Sequence, residues 1–440
     1  MSGEALVIGS VAARRQAAGL RAIGARVGLV TLAGAGGWLA LASASNDWIL
    51  DINSASAPRW LYGPLAGLVP PLTDQSLSVL MLVMLAGYVV AVACADALPE
   101  RAAIAVAVGL VVVFGLAPPI LSSDLFGYIA YARLDVVHRL NPYLHGASAA
   151  PHDPIYPFVY WRHPSSPYGP LFTLLTLPLG GRSLAVAVWS LKTLATLSCL
   201  LSIGLLVRAA KAYGRSAGRV ALFVGANPLL VVYGVGGGHN DLVVMAAVCG
   251  ALLLLAQEGR AAAGGAALVA ATALKATGGL LLPFALVASR RRGRFVAGAA
   301  AAATLAVLLT AVAFGTHLGG TLARIATNGH FVVAFSGPDA LGRLLGTGVT
   351  DAVRLGCATA AALVIAVGLW RVHKGADWLG TSALAGLAVL FAIPSLVPWY
   401  VAWVLPTAAL ARGSAARAGV VVLTVAMVLT RLPLLGFEAY

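Results

Sequence analysis

Ionisable side chains are scarce in this sequence, and those that interrupt its apolar runs fall into a few short segments. In Leu121-Ser122-Ser123-Asp124-Leu125-Phe126-Gly127-Tyr128, a carboxylate stands where an apolar stretch ends and a short helix begins. A carboxylate at such a boundary can take a proton from a hydroxyl arriving through water while it faces a substrate held in lipid. Ser123 and Asp124 are equally suited to cap that helix, and capping and proton transfer can coexist. Further on, Gly236-Gly237-Gly238 precede His239-Asn240-Asp241. Glycines let a backbone approach a ligand closely, while Asn240 and Asp241 are also ordinary caps for the helix that follows. Tyr128, Asn141, Tyr143, Arg162 and Tyr168 lie among prolines and aromatic residues between 121 and 172. Such a surface binds sugar rings or forms an interfacial aromatic belt, and composition leaves both readings open. Trp399 and Tyr400, after Pro394 and Pro398, belong to such a belt or line a cavity.

Two lysines, Lys192 and Lys275, sit within apolar sequence, which is costly without a partner. Each is expected to neutralise a lipid phosphate or to pair with a carboxylate or carbonyl inside the bundle. Arg324 is a third candidate for the phosphate. The four cysteines, Cys94, Cys199, Cys249 and Cys357, show no paired spacing, so neither a disulfide framework nor a zinc site is indicated.

The elements that must hold these residues are membrane helices. Of 440 residues, 60% are hydrophobic and only 10% charged, too few charges to cover a water-facing globule. Lipid offers no hydrogen-bond partners, and long Ala, Leu and Val runs lack the alternation of barrel strands. The net charge of +14 is gathered in short tracts between apolar segments, such as Arg290, Arg291, Arg292 and Arg294. These read as cytoplasmic topogenic loops rather than as a nucleic-acid surface.

Setting those tracts inside gives spans near 27–44, 77–92, 104–120, 184–207, 220–235 and 242–256. Further spans follow near 296–314, 352–370, 379–393, 400–410 and 419–432. Residues 261–289 must cross an even number of times, which suggests a hairpin of two short helices turning near Lys275. The expectation is an all-α polytopic protein of roughly thirteen transmembrane helices, amino terminus inside and carboxyl terminus outside. Residues 121–182 and 315–350 form two extracytoplasmic loops, the first with short interfacial helices. The N-terminus carries no small-residue cleavage site after a short apolar core, so no removable signal peptide is expected. There is no internal repeat of the kind that organises many transporters.

In order along the chain stand Ser123-Asp124-Leu125-Phe126-Gly127-Tyr128, Asn141-Pro142-Tyr143, Trp161-Arg162 and Pro167-Tyr168-Gly169-Pro170-Leu171-Phe172. Asn227-Pro228-Leu229, Gly237-Gly238-His239-Asn240-Asp241, Lys275, Pro398-Trp399-Tyr400 and Trp403 follow. Together they resemble the actinobacterial polyprenol-phosphomannose-dependent α-1,6-mannosyltransferases of the GT-C superfamily. One stretch departs from that family's small polar pattern, with Tyr131-Ala132-Arg133-Leu134-Asp135 in its place. The resemblance implies a GT-C fold in the plasma membrane, with the site on the extracytoplasmic side and Asp124 as the base. It implies a polyprenyl-phosphate-linked sugar as donor, a glycolipid or glycan as acceptor, and no nucleic-acid partner. No metal or other cofactor is expected, because the external loops hold no carboxylate cluster. Two alternatives stand beside it: a polyprenyl-phosphate arabinofuranose or glucose donor, and a flippase or transporter of lipid-linked sugars. The latter would set paired repeats and charges through the midplane. Here the polar residues gather at one face.

Overall fold

The computed structural model describes residues 2–45, 57–315 and 331–432. Arg324, with His317 and His330, lies outside the described residues, as do Asp47 and Asp51. Among the described residues every regular element is helical.

Five helices are long and apolar enough to cross a membrane. They are Gln16–Ser43 within α1 (Ser2–Ser43), α2 (Asp74–Ala93), α6 (Leu184–Ala212), α11 (Arg292–Phe314) and Asp351–His373. Counting α7 (Ala217–Gly225) and the π-helical Leu229–Val235 as one bent span, broken by 52°, makes six. The expected thirteen are therefore not all spans by length. Helices such as α8 (Asp241–Leu255) and Trp378–Ala392 have 15 residues, a rise of about 22 Å against a core of about 30 Å. The expected span at 400–410 is a 3-10 turn, Pro398–Trp403, and a six-residue helix, Leu405–Leu410. Pro398 and Pro406 lack the N–H that a continuous helix needs, and all six residues of the second piece are buried in protein. Irregular backbone is tolerated at such depth because other helices enclose it.

Close helix approach does the packing, as it must where lipid competes equally for apolar contact. Gly28 of α1 faces Gly87 of α2. A Cβ at either would come within 2.7 Å of a backbone nitrogen on the partner, Ala91 or Leu32. Thr73 and Ser76 close a reciprocal capping box at the start of α2.

The break after α7 has its own chemistry. Asn227 Oδ1 accepts from the N–H groups of Leu229 and Leu230 at 3.0 and 3.3 Å. Its Nδ2 donates to Tyr88 Oη at 3.1 Å and Thr424 Oγ1 at 2.9 Å. At the far end of the π-helical stretch, Lys192 of α6 donates 2.9 Å bonds to the carbonyls of Phe114, Val235 and Gly236. Lys192 is fully buried, so its ammonium binds the ends of two broken helices and reaches no cavity. Of its two expected roles, the structure supplies the partner inside the bundle. Phe114 O, at the end of α3 (Glu100–Leu116), has no helical donor because residue 118 is proline, and it would otherwise face an apolar interior; Val235 O and Gly236 O also accept from the N–H groups of Gly238 and Ile120.

The 121–182 segment contains no span, in line with expectation. It opens with α4 (Asp124–Val136), continues through 3-10 turns and ends in α5 (Pro170–Thr176). Most of α4 is buried, so it is an internal helix rather than an interfacial one. Its C-terminal half is clamped to the loop that follows. Arg133 Nε donates to both oxygens of Asp153 at 2.7 and 3.0 Å, and its Nη1 donates to Gly180 O at 3.0 Å. His138 Nε2 lies 2.6 Å from Asp153 Oδ2, and the Ile155 N–H adds a bond of 2.9 Å. Burial alone would raise the Asp153 carboxyl. The bonds from Arg133, Ile155 and His138 outweigh it and hold the group below the usual carboxylate range.

Two measurements follow from these contacts. A folded pKa below the unfolded one stabilises fully above about pH 4 and is lost as pH falls through the lower folded value. Pepsin cleavage of the detergent-solubilised protein within residues 147–168 should therefore rise below about pH 4. Asp153→Asn should be cleaved there at every pH with no such step, and a variant that keeps the step would exclude Asp153 as its source. Lys192→Met keeps the side-chain volume but leaves Phe114 O without a donor, at a cost of roughly 1–3 kcal/mol, while Val235 O and Gly236 O keep the N–H groups of Gly238 and Ile120. Its melting temperature in detergent should fall by roughly 2–10 °C. An unchanged melting temperature would show that Phe114 O finds another partner.

Candidate active site

Three chain breaks converge at one end of the bundle. After α3, Pro118-Pro119 stop the helix and the Ile120 N–H pairs with Gly236 O at 3.2 Å. Leu121 then turns at φ +57°, a left-handed conformation that disfavours a branched side chain by about 1–2 kcal/mol. That turn starts α4 with Asp124 in its first position, its N–H bonded to Ser122 Oγ at 3.2 Å. Ser123, the N-cap, makes no side-chain cap hydrogen bond, and Asp124 is an acidic residue in the first turn. The second break is the glycine run. A Cβ on Gly236 would meet Ile120 at 2.7 Å, and one on Gly238 (φ +71°) would meet Leu125 at 2.6 Å. These glycines bring chain against chain; they do not open a ligand cradle.

The third break is the expected hairpin. Helix α9 (Ala261–Leu274) ends at Lys275 in extended conformation, and a 3-10 turn, Ala276–Leu281, leads into α10 (Leu282–Ala288). Gly169 donates its N–H to Leu274 O at 3.1 Å, and a Cβ there would collide with the Ala273 carbonyl. The Pro167-Tyr168-Gly169-Pro170 turn is thereby fastened directly beside Lys275.

Between these breaks lies a cavity of about 410 Å³. Asp124 and Ser122 line one wall, Lys275 and Thr277 another, and Trp399, Tyr400, Tyr168 and Tyr131 the aromatic sides. Tyr160, Trp161 and Phe331 stand in edge-to-face contact along its wall, with centroids 5.0 and 4.7 Å apart, and remain partly exposed. The Asp124 side chain is 19% exposed, and its Oδ2 lies 3.5 Å from Nδ1 of the fully buried His239. The imidazole stacks on Trp399, centroids 3.7 Å apart and 16° between planes. Burial first, and then the positive charges of Lys275 and Lys192, push its pKa well below the ordinary histidine value. Neither ring nitrogen has a hydrogen-bond partner among the described residues, so the imidazole stands beside the carboxylate as a neutral, buried group.

Lys275 meets Asp241 squarely, with both carboxylate oxygens 2.8 Å from Nζ. Trp403 Nε1 donates a third bond to Asp241 Oδ1 at 2.7 Å. The ammonium also sits 4.9 Å from the Tyr400 ring centroid, and Tyr400 stacks on Trp403 at 4.0 Å. Asp241 is 1% exposed and Lys275 14%, so the lysine reaches the cavity and the aspartate stays behind it.

The other expected residues divide between wall and scaffold. Tyr128 is buried below Asp124. Its hydroxyl lies 3.4 Å from Asn240 Oδ1 and accepts from the Asn240 N–H at 3.3 Å. Burial and the neighbouring Asp124 charge raise the Tyr128 and Tyr168 phenols well above their usual range, so both remain protonated. The Asn240 amide nitrogen is buried and unpaired. Asn141, Tyr143 and Arg162 are scaffold rather than cavity wall. Asn141 Nδ2 donates to Phe314 O at 2.7 Å, and its Oδ1 accepts from the Tyr143 N–H at 2.8 Å. The Tyr143 hydroxyl joins Thr173 Oγ1 at 2.8 Å. Arg162 donates to Val159 O at 3.0 Å and packs over the Tyr156 ring at 4.6 Å. Thr277, Phe331 and Ser395 line the cavity although their sequence settings carry no sign of it. Among the described residues no three His, Cys, Asp or Glu side chains gather as a metal site would require.

A family model described as "Alpha-(1->6)-mannopyranosyltransferase, N-terminal domain" matches residues 32–291, and the "MptB C-terminal domain" model matches 327–434. Alpha-(1->6)-mannopyranosyltransferase A of Corynebacterium glutamicum is 28% identical over 138 residues, 30% of this chain and 28% of the relative. A Mycolicibacterium smegmatis protein named "Probable alpha-(1->6)-mannopyranosyltransferase" is 33% identical over 137 residues, 29% of this chain and 24% of the relative. The matched stretches thus span under a third of those relatives. No solved structure matches. Because the N-terminal-domain model alone covers more than half of the sequence, the chain belongs to the alpha-(1->6)-mannopyranosyltransferase MptA/MptB family.

Proposed function

We propose that this protein is an inverting membrane glycosyltransferase. It moves a sugar, mannose by its family, from an outer-leaflet polyprenyl-phosphate donor to a hydroxyl of a cell-envelope glycolipid or glycan. The supporting observation is the placement of Asp124 and Lys275 on different walls of one aromatic-lined cavity. Asp124 takes the proton of the acceptor hydroxyl as its oxygen bonds to the anomeric carbon. The bond from that carbon to the phosphate oxygen breaks at the same time, and polyprenyl phosphate leaves as an anion. Such a leaving group needs charge stabilisation and no proton, so one base and one cation suffice. A single in-line displacement inverts the centre, so a β-linked donor yields the α linkage of the family name.

His239 lies fully buried behind Asp124 and stacks on Trp399, so its contribution to the site is a neutral, packed surface behind the carboxylate. Lys275 is already paired with Asp241, so the two together are neutral. Donor phosphate would share the ammonium with that carboxylate from the cavity side. Tyr160, Trp161 and Phe331 offer flat faces for the acceptor's sugar rings.

Asp124→Asn keeps the shape and loses the base, so sugar transfer by membranes supplied with labelled polyprenyl-phosphate mannose should fall about 10²–10⁴-fold. Near-normal transfer by a well-expressed variant would remove Asp124 from the mechanism. Changing Lys275 alone would strand a buried carboxylate, so the pair is best changed together. Lys275→Gln with Asp241→Asn should raise the donor KM about ten- to a hundredfold, from one lost charge-assisted contact. The acceptor KM should hardly move. Equal effects on both would make the pair structural.

A further inference from the structure

At the end of the bundle away from Asp124 lies a second cavity, of about 450 Å³. Helix α9 links the two. It begins beside this cavity at Ala261 and reaches Lys275 after 14 residues, a rise of about 21 Å. The walls are the last turns of α8 and α10, the start of α9 and Trp378. Arg290, Arg291 and Ser289, on the link from α10 to α11, complete it. A topogenic role explains why arginines stand on this link, since it only requires charge outside the lipid. It does not explain why they border a hollow large enough for a small ligand.

The charges around the hollow favour an anion. Glu258 is its one acidic lining residue, against Arg290 and Arg291. Arg260 lies at the start of α9, and Arg292 and Arg294 open α11. Asp377, next to Trp378, is engaged elsewhere, accepting from the backbone N–H groups of Arg412 at 2.7 Å and Gly380 at 3.3 Å. Ser289 Oγ accepts the Arg291 N–H at 3.3 Å, which leaves the hydroxyl hydrogen to donate. Guanidinium forks match the oxygens of a phosphate group, and a hydroxyl and an indole face complete a site for one.

We propose that this cavity binds a phosphate-bearing anion through Arg290, Arg291 and Ser289, remote from the transfer site and independent of it. The phosphate belongs to an anionic phospholipid headgroup or to a soluble phosphate compound, since both present the same oxygens where the helices leave the membrane.

The test uses the full chain purified in a neutral maltoside detergent, with Asp124→Asn introduced so that transfer plays no part. Dioctanoyl phosphatidylglycerol, dioctanoyl phosphatidylcholine and inorganic pyrophosphate are titrated separately, with binding followed by thermal shift. Saturable stabilisation by phosphatidylglycerol alone would support the site and assign it to lipid. Saturable stabilisation by pyrophosphate as well would support it and show that free phosphate enters. Arg290→Gln with Arg291→Gln should weaken binding at least roughly tenfold. Arg290→Lys with Arg291→Lys, which keeps the charge but loses the forks, should weaken it less and also shows whether the link tolerates substitution. Arg208→Gln, an exposed arginine on α6 outside the cavity, should leave it unchanged. No saturable effect of either anion would overturn the proposal. So would equal losses in the Arg208 and Arg290/Arg291 variants, because binding would then be to a diffuse basic surface.

Discussion

A single ammonium group ties together the chain breaks at the cavity end of the bundle. Lys192 places its three donors on the carbonyls of Phe114, Val235 and Gly236, in a setting from which water is excluded. Helix ends in a membrane protein release carbonyls that lipid cannot satisfy, and an unpaired one costs more than an ordinary hydrogen bond contributes. Pro118 has no N–H for Phe114 O and the ammonium takes its place, so α3 can stop at the double proline without a bare carbonyl; at Val235 and Gly236 it adds to backbone bonds from Gly238 and Ile120. Ile120 then pairs with Gly236, Leu121 turns left-handed, and Asp124 begins its helix at the cavity wall. The strain at Leu121 is tolerated because contacts on both sides over-determine it.

The cavity separates two carboxylates by environment. Asp241 is almost wholly buried and saturated by Lys275 and Trp403, so its charge is neutralised in place. Asp124 keeps an accessible edge and has a neutral imidazole behind it. A buried pair such as Lys275–Asp241 gains little net stability, because the attraction is offset by the cost of removing both charges from water. Its value lies in position. It holds the tip of the α9–α10 hairpin against α8 and sets one cation at the edge of the cavity, beside the stacked rings of Tyr400 and Trp403.

Two residues of the 131–135 stretch have definite places. Tyr131 lines the cavity and donates to Pro164 O at 3.0 Å, and Arg133 forms the clamp to Asp153. The stretch therefore shapes one wall and the fastening of the loop behind it, at the opposite end of the helix from Asp124. The Asn141-Pro142-Tyr143 and Asn227-Pro228 motifs likewise fix where backbone turns. Their side chains bond to main-chain groups and buried hydroxyls.

Much was legible in one dimension. Low charge and long apolar runs require helices in lipid, proline and glycine mark the breaks, and the charge parity around 261–289 demanded a hairpin turning at Lys275. Asp124 stood out because a carboxylate at the end of an apolar run is costly unless it is used or solvated. The number of true spans was not legible, because hydropathy averages over a window and does not register where a helix stops inside it. At 220–235 and 400–410 the window stays apolar across Asn227-Pro228 and Pro406, while the helix does not continue. Nor did sequence find the partners of Lys192, left open between ligand and bundle, or of Lys275, favoured as a ligand contact at the hairpin tip yet paired with Asp241. The partners of the first lie 43, 44 and 78 residues away along the chain, and the carboxylate of the second lies 34 away. Composition determines that a buried charge must be neutralised. Whether carbonyls, a carboxylate or a ligand does so is decided by groups that only the packed bundle brings within 3 Å, roughly the reach of a hydrogen bond.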